Sequence, residues 1–289
     1  MRYKGVVIRP PSEAGSYILQ VTYGCSHNTC TFCPTYKGTR FSRRDMEEIL
    51  EDIEKASRVI PDTERVFLAD GNAMCLPAAD IVTILKSLSN AFGRLERVGI
   101  YANGRDILEK SDEELEEFRR LRLGIVYMGL ESGDDEVLRK VRKRDSSGEM
   151  IEAVSRAREN GMEASVIVLL GLAGEEGSQR HAILSGKAVS SMNPDYLSAL
   201  TLMVVPGTRL FEEQQAGSFR LPTQRGMLDE LFLFLGNCHV DNCVFRSNHA
   251  SNYLPLKGML SRDRKTMLES IDMAIQRPEI LRPETLRGL

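Results

Sequence analysis

Between residues 17 and 205, six short runs rich in apolar and β-branched residues alternate with longer segments of helical period. No other feature restricts the fold of this chain so strongly. Such a rhythm is the signature of βαβ units, whose right-handed crossovers lay successive strands parallel. The strand runs are residues 17–23, 65–69, 97–101, 124–130, 164–170 and 196–205. The fifth is almost unbroken apolar, as a strand covered on both faces should be.

Between them, Met46, Ile49, Leu50 and Ile53 share a helical face from about Arg43, with Ser42 the expected N-cap ahead of Asp45. Pro77 opens a helix that buries Ile81, Ile84, Leu85 and Leu88. Ser111 and Glu114 are spaced as a capping box before Leu115 and Phe118. A further helix from about Ser147 ends at Asn160-Gly161. Parallel strands so connected curl into a barrel whose functional loops follow the C-terminal strand ends. A doubly wound open sheet fits the same periodicity. The expected fold is α/β, a partial (β/α)6 TIM-like barrel over residues 1–206. Residues 207–289 are expected to cap it, with a helix around Met227–Leu235, an irregular stretch from Cys238 to Tyr253, and a last helix near 264–276.

The chain carries a net charge of −3, which gives no electrostatic case for nucleic acid or a membrane surface. No apolar run reaches the ~18 residues of a membrane span. The start of the chain has too short an apolar stretch for a secretory signal, so a cytoplasmic location is expected. Clustered cysteines in that reducing compartment read as metal-binding or catalytic before they read as disulfides.

Three of the six cysteines fall directly after the first strand run, as Cys25, Cys30 and Cys33 in a C-x4-C-x2-C spacing. Zinc sites need a second pair of ligands, and electron-transfer clusters need four thiolates. Three thiolates on an iron–sulfur cluster leave one iron open, as the free position of a catalytic metal is open. Chance grouping of structural cysteines is the bland alternative.

With those residues and the loops that follow them, the sequence resembles the radical S-adenosylmethionine (SAM) superfamily. Its members hold a [4Fe–4S] cluster on three cysteines, usually C-x3-C-x2-C, with an aromatic residue before the last, where Phe32 stands here. One extra residue separates Cys25 from Cys30. Asp70-Gly71-Asn72 occupies the place of the loop that meets the SAM amino group. Glu131 and Ser132, in Gly129-Leu130-Glu131-Ser132-Gly133, resemble the fourth-strand motif of the branch holding tetrapyrrole and tRNA-modifying members. Leu170 and Gly171 resemble the segment near the adenine, and Met203–Thr208 the end of the sixth strand. The resemblance implies a cluster on Cys25, Cys30 and Cys33, with SAM as the second cofactor. It implies reductive cleavage to methionine and a 5′-deoxyadenosyl radical, and hydrogen abstraction from a substrate. Glu131 is then a candidate for the ribose or amino group, and Tyr101 and Asn103 for the cavity wall. Each also has a plain reading, as a helix-start acid or a strand end.

A rival reading makes Cys75 a fourth ligand and the chain a non-catalytic electron carrier. Cys243 is a candidate hydrogen donor to a substrate radical, against the plain reading of a buried inert thiol. With Cys238, His239 and His249 it is also a candidate second metal site. His249, in the polar stretch 247–253, is the candidate for proton transfer to or from substrate. With only about sixteen residues ahead of the first strand and two C-terminal cysteines, a minimal oxidoreductase-like radical enzyme is expected. It would work anaerobically on a small molecule, with a ferredoxin or flavodoxin as reductant.

Overall fold

The structure is a computed structural model that describes residues 2–288. Two compact units interleave along the chain. The first comprises residues up to Asn28, then Thr35–Met128 and Ala153–Ala164; the second comprises Thr29–Pro34, Gly129–Glu152 and everything from Ser165 onward. The expected boundary at 206/207 therefore falls inside the second unit.

The first unit contains β1 (Tyr17–Gln20), β2 (Thr22–Tyr23), β3 (Ser42–Arg43), α1 (Met46–Val59), β4 (Arg65–Ala69), α2 (Ala78–Ala91), β5 (Arg97–Ala102), α3 (Gly104–Leu108) and α4 (Asp112–Arg120). It also holds most of β6 (Leu123–Glu131), which runs on into the second unit. β1, β4, β5 and β6 pair parallel in that order. Phe67, Leu68 and Ala69 on β4 are fully buried, as a central parallel strand must be. Phe67 meets Tyr101 edge-on at 4.9 Å and Tyr127 at 5.6 Å.

Two local expectations change. The first strand run breaks after Gln20, and Thr22–Tyr23 pairs antiparallel with Ser42–Arg43. Ser42 is thus a strand residue, and the cap of α1 is Asp45, whose carboxylate accepts from Glu47 N at 2.9 Å. The Ser111/Glu114 capping box forms as expected, with bonds of 3.2 and 2.9 Å.

The second unit continues with α5 (Asp135–Lys140) and then α6 (Ser147–Glu159), which crosses back into the first. After it come β7 (Glu163–Leu170), α7 (Gly174–Met192), β8 (Tyr196–Thr201), α8 (Arg209–Gln215), α9 (Gln224–Gly236), β9 (Val244–Arg246), β10 (Lys257–Met259) and α10 (Leu260–Gln276). β7, β8 and β9 are parallel, and β10 returns antiparallel on β9. The stretch from Cys238 to Tyr253, expected to be irregular, therefore adds one strand, β9, to β8. α7 and α10 both pack against α9. The fold is α/β, mostly parallel strands with helices around them.

Phe67→Ala would empty the space between two tyrosine rings and is expected to cost about 3–5 kcal/mol. Ser111→Ala, which removes a cap, should cost about 1 kcal/mol. Urea unfolding midpoints measure both, and equal midpoints would contradict the assignment of Phe67 to the core.

Candidate functional site

In the first unit the chain leaves β2 at Gly24-Cys25 and is met by the turn that follows β4. Asp70 opens that turn in the left-handed region, with φ of 93°. Its buried carboxylate accepts from Gln20 Nε2 at 2.8 Å, Tyr36 Oη at 2.9 Å and Gly24 N at 3.2 Å. Burial raises the Asp70 pKa, and these donors work against that. Gly71 donates its N–H to Tyr36 Oη at 3.0 Å. A Cβ on Gly71 would overlap the Cys25 main chain and stand 2.7 Å from Cys25 Cβ, so only glycine permits this approach.

Asn72 Oδ1 accepts from Ser26 N at 3.0 Å, and its Nδ2 donates to Ser26 Oγ at 2.7 Å and Asp106 Oδ2 at 2.8 Å. Asp70, Gly71 and Asn72, expected at the cofactor, thus fix the entry to the cysteine loop through their own contacts. Cys75 lies in the short turn Ala73–Cys75, where burial, then Asp106, pushes its thiol up to about 11 against the Ser26 hydroxyl. Tyr101 lies on β5, and burial raises its phenol. Asn103 follows, its N–H bonded to Asp106 Oδ2 at 3.0 Å. Its side-chain Nδ2 is buried and has no hydrogen-bond partner among the described residues, so it is a donor open to a ligand.

The second unit carries the other two motif cysteines. Thr31 N donates to Val141 O at 2.9 Å and Thr31 O accepts from Leu210 N at 3.0 Å, which fastens Cys30 and Cys33 from between. Phe32 packs on an apolar cluster of Val137, Val141, Leu172, Leu202, Leu210 and Phe219. At the end of β6, Glu131 turns left-handed at φ of 62° and folds its carboxylate back over Gly129. That carboxylate lies 3.4 Å from Lys143 Nζ, whose side chain is 8% exposed.

Burial pulls the Lys143 pKa down, but Glu131, Cys30 and Asp145 outweigh it and the net shift is upward. Lys143 is thus a buried ammonium held among acids and a motif cysteine. It escapes sequence reading because it stands in a run of basic residues that reads as solvated surface. Lys143 lies past the end of α5, so no helical period marks it. Ser132 is buried with Oγ 2.7 Å from His181 Nδ1. Leu170 ends β7, and Gly171, at φ of 84°, donates its N–H to Glu230 Oε1 at 2.6 Å.

The two residues proposed from sequence for catalysis part company. Cys243 is fully buried and immediately precedes β9; Val244 N bonds Asp195 O at 2.9 Å, level with the start of β8. It stands buried at the strand end opposite to Leu170 and Gly171, a placement that favours the plain reading of an inert thiol. His249 follows β9 and lies on the Gly171 side, because Asn252 nearby bonds Thr201 Oγ1, the last residue of β8, at 2.8 Å. Its Nδ1 accepts from Ser251 N at 3.1 Å, which leaves the ring proton on Nε2, and burial followed by Arg282 lowers its pKa.

The donor set fits an iron–sulfur cluster. Among the described residues no cysteine is in a disulfide, and Cys25, Cys30 and Cys33 are partly exposed while Cys238 and Cys243 are buried. Among the described residues no three Cys, His, Asp or Glu side chains gather as a single ion requires. A cluster whose cysteines bind separate irons makes a different demand. The sequence model of the radical SAM superfamily matches residues 19–185. The chain belongs to the radical SAM superfamily.

Its cofactors are therefore a [4Fe–4S] cluster and SAM. The heme chaperone HemW of Bacillus subtilis is 23% identical over 182 residues, 62% of this chain and 46% of HemW, so the chain spans less than half of that relative. Coproporphyrinogen III oxidase (HemN) of Escherichia coli, a radical SAM enzyme, superposes with a TM-score of 0.55 at 20% identity, covering 76% of this chain and 52% of HemN. Methylornithine synthase (PylB) gives 0.54 at 18%, covering 91% and 81%. The fold is thus of the partial (β/α)6, TIM-barrel-like kind. Among the described residues no helix is long and apolar enough to cross a membrane.

Gly71→Ala, which forces a methyl into the Cys25 backbone, is expected to cut iron bound after anaerobic reconstitution to under about half of wild type. Gly93→Ala, with nothing within 4 Å of the added carbon, should leave it unchanged. Equal iron counts in both variants would contradict the close approach.

Proposed function

We propose that this radical SAM enzyme abstracts hydrogen from a small-molecule substrate, with Cys25, Cys30 and Cys33 as the protein ligands of its cluster. The observation that carries this reading is the set of three partly exposed cysteines, none in a disulfide, inside the family-matched segment, with Cys25 beside a turn that only glycine can make. When bound, the reduced cluster and SAM supply a one-electron cleavage of the sulfonium and a 5′-deoxyadenosyl radical able to take hydrogen from an unactivated C–H bond.

The chain's own residues then bind, orient and shield. Asp70, Gly71 and Asn72 hold the Cys25 end of the loop, and Thr31 and Phe32 hold the Cys30–Cys33 end. Lys143 offers a buried ammonium to the carboxylate of SAM, with Glu131 orienting it and free to turn toward the ribose or amino group. Asn103 Nδ2 and the Tyr101 ring supply a donor and an apolar wall. The Leu170-Gly171 and Ser132 turns bound the adenosyl end. His249, with a proton on Nε2 and a lowered pKa, is placed for proton exchange with substrate. A ferredoxin or flavodoxin supplies the electron, and the net charge of −3 offers nothing to a nucleic acid.

Cys75 favours a second reading in one respect. It lies close enough to Cys25 and Ser26 to feel both, as a fourth ligand would. Dithionite-dependent formation of 5′-deoxyadenosine by the reconstituted protein separates the two. Wild type and Cys75→Ala are expected to form it at similar rates, while Cys30→Ala loses it by at least about 10²-fold, the scale of a missing catalytic group. No product from a four-iron wild type, or loss of the cluster in Cys75→Ala, would favour the electron carrier. Lys143→Gln is expected to raise the KM for SAM about tenfold, in line with a lost charge-assisted hydrogen bond.

A further inference from the structure

α9 lies beyond the family-matched segment, yet it sends an acid into the interior of the second unit. Glu230 is 1% exposed. Its Oε1 accepts the Gly171 N–H at 2.6 Å, its Oε2 accepts the Ser178 hydroxyl, and Oε1 faces His181 Nε2 at 3.4 Å. His181, on α7, is fully buried, and its Nε2 makes no closer hydrogen bond. Its Nδ1 bonds Ser132 Oγ at 2.7 Å and lies 3.4 Å from Ser185 Oγ. Ser185 Oγ accepts from Gly133 N at 2.8 Å, and Ser132 Oγ from Asp134 N at 3.0 Å. One chain of buried polar contacts therefore runs from the turn after β7 to the turn after β6.

The chemistry of this chain is unusual for a core. Among the described residues no lysine or arginine contributes a hydrogen bond or ion pair to Glu230 or His181. Burial pushes the Glu230 carboxyl up to about 7, against Ser178 and Gly171, and pushes the His181 imidazole down to about 4, against the Leu169 carbonyl. Both groups are driven toward neutral forms that share protons with their neighbours. A buried acid without a cation contributes little stability that a leucine would not, so its place here is better explained by what it holds. That is the turn at Gly171. Gly171 is left-handed, and a Cβ there would overlap Met227 of the same helix α9 and stand 2.9 Å from its sulfur. α9 thus holds this turn by a methionine beneath it and by a carboxyl oxygen on the Gly171 N–H.

We propose that Glu230 is a positioning residue for the SAM-facing turn at Leu170-Gly171, and that His181 carries its hold across to Ser132 and Gly133. The proposal rests on the cofactor reading above. It assigns to the C-terminal helices a part in cofactor binding, exerted through the Gly171 N–H and not by direct contact.

The test is equilibrium dialysis of SAM against the reconstituted, four-iron protein without reductant, with melting curves and iron counts taken on the same samples. Glu230→Gln keeps an acceptor for Gly171 and is expected to bind within about twofold of wild type. Glu230→Leu has no acceptor, and Glu230→Asp is one methylene too short to reach; both should bind about tenfold more weakly, the scale of one lost buried hydrogen bond. Their melting curves and iron counts should stay close to those of wild type. Hydrogen exchange of a peptide covering residues 168–176, followed in the same variants without SAM, should quicken in the Leu and Asp variants alone. Wild-type affinity in both would overturn the proposal. So would loss of the folded state in both with Glu230→Gln intact, because the role would then be structural support. Failure of the wild type itself to bind SAM would refute the cofactor reading instead, so the two failures are told apart.

Discussion

The Asp70 carboxylate holds the cysteine loop of this protein at both ends. Gly24, immediately before Cys25, and Tyr36, three residues after Cys33, both donate to it, and Gln20 at the end of β1 supplies a third bond. A carboxylate can be buried only where donors replace its lost water, so the acid and the loop require each other. The parallel pairing of β1 with β4, Gln20 opposite Ala69, sets Asp70 where those donors converge. The positive φ at Asp70 then turns the chain so that Gly71 runs against the Cys25 main chain. Strand register, one strained acid and one glycine together decide where the first motif thiol stands.

The alternation of strands and helices, the capping box at Ser111 and the motif cysteines were legible in the sequence because each rests on spacing along the chain. What escaped rests on contacts that spacing does not encode. Ser42 and Asp45 are both good N-caps in isolation, and Asp45 wins because β3 claims Ser42 for pairing with Tyr23. β9 and β10 are three residues each, too short to show a period, and exist because β8 offers an open edge. The burial of Cys243, and the strand end it occupies, likewise leave no mark in its spacing.

Charge placement divides the second unit into two settings. Here Lys143 and Glu131 form a buried pair beside Cys30, and such a cation favours thiolate and carboxylate alike. Glu230 and His181 instead sit without a cation and are pushed toward neutrality. The first arrangement suits a place where anions must be bound. The second suits a place where main-chain turns must be held still. Basic runs and amphipathic helices conceal both in the sequence, because a buried charge on such an element is recognisable only by what surrounds it.

In the proposed function three cysteines hold the cluster and leave one iron for SAM. Electron–nuclear double resonance on the reduced cluster, with SAM labelled by 15N at its amino group, tests this directly. The account predicts a nitrogen coupling in the wild type that persists in Cys75→Ala. A four-iron protein that shows no such coupling in either form would contradict it.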